Sequence, residues 1–173
     1  MTQKLHILVF SLVLMFAFTG CEKDSASSGT TKGGLTTLFG TDLIDRDKTK
    51  VQVSEMAGKK VGIYFSAHWC PPCRAFTPHL VNVYNEIKKQ GNPFEIVFVS
   101  SDRDEKHMLD YMREMKMPWL AIPFGDGRVG KLKSKFGIRG IPSLVIVDAQ
   151  GNTITKDGRG DVGRKGAAAY KAW

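Results

Sequence analysis

The sequence predicts an α/β fold: a central mixed sheet flanked by helices, with an N-terminal β-hairpin extension. Three observations predict it. Residues 61–66 (VGIYFS) and 94–100 (FEIVFVS) are near-continuous apolar runs rich in β-formers, the pattern of strands buried on both faces of a sheet. Between them, Phe76, Leu80, Val83, Tyr84 and Ile87 recur at helical spacing. Residues 143–148 (SLVIVD) and 153–155 flank a polar turn and read as an antiparallel hairpin.

Composition bounds the rest. The chain has 173 residues, 42% hydrophobic and 24% charged, which suits one globular domain and excludes collagen-like, fully disordered and polytopic membrane proteins. Three cysteines, Cys21 alone and Cys70 with Cys73, are too few for a disulfide-stapled scaffold. The formal charge of +8 bears on solubility and loose attraction, not on a specific activity.

Residues 1–20 read as an export signal. Lys4 is the only charged side chain there, and residues 7–18 (ILVFSLVLMFAF) have the length of a signal core, short for a permanent membrane span. Thr19 and Gly20 before Cys21 resemble the lipobox of bacterial lipoproteins, with Phe18 where a leucine-like residue is usual. That resemblance implies cleavage before Cys21 and its acylation, which also accounts for the odd cysteine. An ordinary secretory signal and an uncleaved anchor are the alternatives. Residues 21–34 are then a lipidated cysteine and a flexible Ser/Gly/Thr-rich linker, reaching about 20 Å. Residues 35–173 form the domain. Without residues 1–20, 24 Lys+Arg face 17 Asp+Glu, so the exported part stays basic.

Along the domain, residues 35–44 and 51–53 read as short strands around the polar turn 45–50. The strand 61–66 leads into the amphipathic helix, which Gly91 and Pro93 stop. After the strand 94–100, Asp102 with Glu105 resembles a capping box opening a helix whose apolar stripe is Met108, Leu109, Met112 and Met115. Methionines sharing a face with a leucine read as core rather than as a metal site. Pro118 and Pro123 mark a loop, residues 125–130 a glycine-rich turn, and a basic helix ends near Phe136. The C-terminal hairpin closes the sheet.

The sharpest chemical signal is Trp69-Cys70-Pro71-Pro72-Cys73-Arg74, where the first strand gives way to the helix. Side chains at i and i+3 of a first helical turn lie on one side, near enough for a disulfide to form and break without moving the backbone. Cys70 sits where unpaired N–H groups and the positive end of the macrodipole stabilise a thiolate, so it is the attacking sulfur. Cys73, one turn inside, resolves the mixed disulfide. Pro71 and Pro72 are tolerated in a first turn and stiffen the dithiol loop.

A strand–CxxC–helix unit is the signature of a thioredoxin-like site. Residues 65–74 (FSAHWCPPCR) resemble the nucleoredoxin and tryparedoxin branch of the thioredoxin superfamily, as do 97–102 (VFVSSD), the Trp119-containing 118–124 and 136–142 (FGIRGIP). The resemblance covers most of residues 38–160. It implies a thioredoxin-like fold, a cis Ile141–Pro142 peptide facing the dithiol, substrate contacts at Trp69, Ile141 and Pro142, and active-site support from His68 and Arg74. It also implies a redox-active disulfide with no organic cofactor, working on protein disulfide or dithiol substrates with an electron donor. Pro78 matches the helix-kinking proline of thioredoxins. Tyr64 stands where thioredoxin has a buried aspartate, so His68, Glu95 or water are the candidates to take the Cys73 proton.

Other signals are weaker. Cys70, Cys73, His68 and His79 could form a tetrahedral metal set, the basis of a metallochaperone alternative, but His79 lies six positions past Cys73, about 9 Å along the helix. Ala67 stands three residues before Cys70, where a peroxiredoxin needs Thr or Ser. Residues 125–130 spell G-x-G-x-x-G without a convincing strand before them, and Leu132 replaces the Mg²⁺-binding hydroxyl of a P-loop. Arg128, Lys131, Lys133, Lys135 and Arg139 form a basic run without the aromatic interleaving of a nucleic-acid surface, so no nucleic-acid partner is expected. Residues 159–161 (RGD) read as a loop, and Trp119 either borders the site or belongs to the core. The expected protein is a membrane-tethered, extracytoplasmic thiol–disulfide oxidoreductase, a reductase in the main reading and an oxidase or isomerase in the alternative.

Overall fold

A computed structural model describes residues 34–173, so the readings of the leader, Cys21 and most of the linker lie outside the described residues. The elements in chain order are α1 (Leu35–Phe39), β1 (Asp42–Ile44), β2 (Lys50–Gln52), a 3-10 turn (Val53–Met56), β3 (Lys60–Ser66), α2 (Pro71–Lys89), β4 (Phe94–Ser100) and α3 (Glu105–Glu114). They continue with β5 (Leu120–Ala121), α4 (Arg128–Phe136), β6 (Ser143–Val147), β7 (Thr153–Thr155), α5 (Gly158–Lys165) and a closing 3-10 segment (Gly166–Ala172). The sheet is mixed, in the order β2-β1-β5-β4-β3-β6-β7.

The two apolar runs are its centre. β3 and β4 pair in parallel from Lys60↔Phe94 to Ser66↔Ser100, and β6 flanks β3 antiparallel. Alternate residues serve opposite faces. Tyr64, Ile96 and Phe98 face a core shared with α2, α3 and α5; Val61, Ile63, Phe65, Val97 and Val99 face one shared with α1 and α4. Full burial of each such side chain is worth about 1.5–3 kcal/mol, which explains why neither strand carries a polar face. Gly62 sits in a tight place: a Cβ there would lie 3.2 Å from the Leu144 and Phe94 side chains, which would have to shift by a few tenths of an ångström.

Four expectations change. Residues 35–39 are helical, since Leu35, Leu38 and Phe39 bury one helical stripe between Gly34 and Gly40, both at positive φ. The N-terminal hairpin is therefore only β1 and β2, paired Leu43↔Val51, with Asp45 Oδ1 accepting from the Asp47 and Thr49 N–H groups at 2.8 Å each. The cap of α3 is Asp104, whose carboxylate accepts from His107 N at 2.8 Å; Asp102 serves elsewhere. Residues 159–161 form the first turn of α5, capped by Asp157, with Asp161 paired to Arg164 and accepting from the Trp173 indole. The expected methionine stripe is core: Met108 and Met112 are fully buried.

The C-terminal helix docks through a glycine. A Cβ on Gly158 would lie 2.9 Å from the Leu144 carbonyl oxygen and 3.0 Å from the Ile146 side chain, whereas one on Gly163 meets nothing within 4 Å. Gly158→Ala is expected to cost about 1–3 kcal/mol in urea unfolding. Gly163→Ala, in the same helix, should leave stability unchanged or raise it by up to about 1 kcal/mol.

Candidate active site

The parallel register of β3 and β4 brings their C-terminal ends to one edge, where the chain leaves β3 through Ala67-His68-Trp69 and enters α2. Cys70 is the N-cap of α2 in extended conformation, and its side chain caps no backbone group, so its sulfur stays with the free N–H end of the helix. Pro71 and Pro72 fill the first turn, where a missing N–H costs nothing. Cys73 follows one turn inside. The two cysteines are joined as a disulfide with Cα atoms 5.2 Å apart; Cys70 is 5% exposed and Cys73 fully buried. The macrodipole favours a thiolate at Cys70 over one at Cys73.

The Ile141–Pro142 peptide is cis, and the Ile141 carbonyl oxygen lies 3.9 Å from Cys70 Sγ. Trp69 is 56% exposed, an unusual degree for so large an apolar surface. Its orientation is set from β4: the indole Nε1 donates to Ser101 O at 3.0 Å, and Ser101 N donates to Ser66 O at 2.9 Å. Asp102 completes the tie. Its Oδ1 accepts from His68 N at 2.8 Å, while its Oδ2 accepts from the Ser100 hydroxyl at 2.8 Å. A cleft of about 290 Å³ beside the dithiol is lined by His68, Trp69, Arg74, Asp102, Arg103 and His107. The His68 ring stacks on Tyr111 and meets Glu114 through Nε2 at 2.9 Å.

Behind Cys73 lie four buried hydroxyls. Tyr64 and Thr77 are 2.8 Å apart, Thr77 and Tyr111 2.6 Å, and Ser66 is 3.0 Å from both Tyr64 and Tyr111. Thr77 also donates to the Cys73 carbonyl at 2.8 Å. Five contacts thus share four hydroxyl protons. The ring is electrically neutral, because burial, with Tyr111 adding to it, pushes the Tyr64 phenol well above its ordinary value. Where the sequence comparison with thioredoxin suggested a replacement for one aspartate, the structure has a closed ring of alcohols.

Nine of the residues singled out from sequence converge here: His68, Trp69, Cys70, Pro71, Pro72, Cys73, Arg74, Ile141 and Pro142. Others do not. His79 turns its Nε2 toward Val162 O at 3.4 Å, so the four-ligand metal set is not assembled. Glu95 pairs across from Val61, about 16 Å down the sheet from Ser66, and accepts from Tyr84; it has no access to Cys73. Trp119 is 1% exposed and packs edge-on to Tyr64 and Tyr84 in the core rather than bordering the site. Arg128 leaves the basic surface, bonding Asp126 and the carbonyls of Phe39 and Asp42, and it holds the Asp126 carboxyl below the usual carboxylate range. Ser66, Thr77, Ser101, Asp102, Tyr111 and Glu114 were not foreseen as site residues. The available signal was Ser66 and Thr77 themselves, polar residues in otherwise apolar stretches.

Residues 58–153 match the family described as Thioredoxin-like. The chain is 49% identical over 128 residues to probable nucleoredoxin 1 of Arabidopsis thaliana, covering 74% of this chain and 22% of that protein. Thioredoxin of Wuchereria bancrofti superposes with a TM-score of 0.69 at 45% identity, covering 74% of this chain and 89% of the other. Tryparedoxin II of C. fasciculata gives 0.70 at 39% identity, covering 76% and 88%. The chain spans about a quarter of the length of the curated relatives it matches.

The tie from β4 can be tested at Asp102. Asp102→Ala strands the His68 N–H and should cost about 1–3 kcal/mol in urea unfolding, with loss of hydrogen-exchange protection at the His68 amide. Asp102→Asn keeps an acceptor oxygen and should retain most of both.

Proposed function

The chain belongs to the thioredoxin-like family, in the branch of the nucleoredoxins and tryparedoxins; from that membership we propose that it reduces protein disulfides, and from the leader-like residues 1–21 that it does so outside the cytoplasm while tethered to a membrane. One observation carries the redox part: a Cys70–Cys73 disulfide on the first turn of α2, with the more exposed sulfur at the helix N-terminus and beside the cis-proline loop.

In the reduced protein the Cys70 thiolate attacks one sulfur of a substrate disulfide R–S–S–R′. A Cys70–S–S–R bond forms, the substrate S–S bond breaks, and R′S⁻ leaves with the electron pair. Cys73, as thiolate, attacks the Cys70 sulfur; RS⁻ leaves and the Cys70–Cys73 disulfide is restored. Two electrons have passed to the substrate, and an external dithiol donor returns them. Trp69 supplies an exposed apolar shelf, and the Ile141 backbone a polar edge on the other side of Cys70. Dithiols of this kind span about −120 to −270 mV, about 7 kcal/mol, so the potential of this pair decides between reductase and oxidase. The tether reading draws on residues 7–18 and on Cys21 behind Thr19-Gly20.

Cys70→Ser should abolish insulin-disulfide reduction. Cys73→Ser should instead accumulate a mixed disulfide with substrate, visible on non-reducing gels; turnover by either variant at the wild-type rate defeats the mechanism. The wild type expressed in bacteria should incorporate labelled palmitate and Cys21→Ser should not; a wild type that stays unlabelled, or equal labelling of the two, would refute the acyl tether.

A further inference from the structure

His68 is held at three points at the mouth of the site. Asp102 holds its backbone N–H at 2.8 Å, its ring lies 5.4 Å from that of Tyr111 with planes 17° apart, and Glu114 Oε2 meets its Nε2 at 2.9 Å. Its other nitrogen, Nδ1, has no hydrogen-bond partner among the described residues and is not among the buried unpartnered atoms. The surface that His68 lines is the cleft it shares with Trp69 and Arg74. The titratable and charged groups around the ring are Glu114, Tyr111 and His107 of α3, Asp102 and Arg103 of the preceding loop, and Arg74 of α2.

A carboxylate behind one nitrogen of an imidazole fixes the tautomer and stabilises the protonated ring, so the opposite nitrogen exchanges the proton. A histidine serving only to pack has no need of an unburied, unpartnered nitrogen two residues from the attacking cysteine. We propose that His68 is the proton donor to the leaving thiolate of the substrate, and that Glu114 is the positioning residue that fixes its tautomer and keeps its ring aimed. This rests on the oxidoreductase reading. As Cys70 attacks and the substrate S–S bond breaks, the electron pair departs on R′S⁻; the proton on Nδ1 passes to that sulfur, giving R′SH and a neutral imidazole. The ring regains its proton from solvent in the cleft, and the only electrons transferred are the two of the dithiol.

The experiment is a single turnover of pre-reduced protein with two probes. Ellman's reagent releases an aromatic thiolate that needs no proton, and bis(2-hydroxyethyl) disulfide releases a basic alkyl thiolate that does. The ratio of the alkyl to the aromatic rate cancels the ionisation of Cys70. In the wild type that ratio should fall as pH rises, since fewer molecules then carry the proton to be donated. His68→Asn should slow the alkyl reaction at least about tenfold, change the aromatic one less than about twofold, and flatten the ratio against pH. Glu114→Gln, at an exposed carboxylate, should lower the alkyl-to-aromatic ratio, because the ring loses the carboxylate that aims it; this variant carries the test if His68→Asn does not fold. Equal slowing of both probes by His68→Asn, or a pH-independent ratio in the wild type, overturns the proposal while leaving the oxidoreductase reading intact. Failure of the wild type to react with either probe overturns that reading and this one together.

Discussion

Two parallel strands, β3 and β4, end side by side, and a short set of hydrogen bonds joins the segments that leave them. Ser66 O accepts from Ser101 N, Ser101 O accepts from the Trp69 indole, and the Asp102 carboxylate accepts from the His68 N–H. This tie sets the path from β3 into α2, and with it the place of Cys70 at the helix N-terminus. The chain between Ser66 and Pro71 has four residues in which to leave the sheet, turn and begin a helix, with one internal backbone bond, Cys70 N to Ala67 O. Without anchors from β4 the dithiol would sit on a loop with little to define it. The disulfide, the exposed indole and the fixed imidazole are each consequences of that anchoring.

The centre of the fold was legible because it is written in two redundant signals. β3 and β4 are apolar throughout since both faces are covered, and α2 carries one apolar stripe over many turns. The ends were less legible. α1 has five residues, too few for a period to emerge against β-like composition. α5 is built from glycines and charged residues, and its stability comes from docking Val162 and from close approach of Gly158 to β6, a tertiary effect with no local signature. β5 is two residues long and exists because β1 and β4 supply partners on either side. The α3 cap moved by two residues because Asp102 was needed for His68, which left Asp104 to cap.

The site divides in the same way. Residues contiguous with the dithiol, from His68 to Arg74, could be read directly, and Ile141 and Pro142 came from family resemblance. Residues that act on these from β4 and α3 could not: Ser101, Asp102, Tyr111 and Glu114 lie more than thirty positions from Cys70, and the resemblance of 97–102 to the family gave Ser101 and Asp102 no role. Their spacing along the chain carries no information about the register that brings them back to β3. Arg128 illustrates the opposite error: five cations close in sequence suggested one surface, yet this one turns inward to close the end of α1 against α4.

The hydroxyl ring behind Cys73 has a consequence in configurational terms. Thr77 gives its proton to the Cys73 carbonyl and accepts from Tyr64, while Ser66 gives its own to Tyr64. The Tyr111 proton can then point either to Thr77 or to Ser66, and in both arrangements each of the four hydroxyls donates one hydrogen bond. Such a ring resembles a fragment of ice, in which protons are disordered over a fixed lattice of oxygens. It retains entropy that a fixed ion pair would lose. Rotation of the Tyr111 hydroxyl alone also redirects part of its dipole, so the polarisation felt at the buried sulfur adjusts without any charge entering or leaving the core.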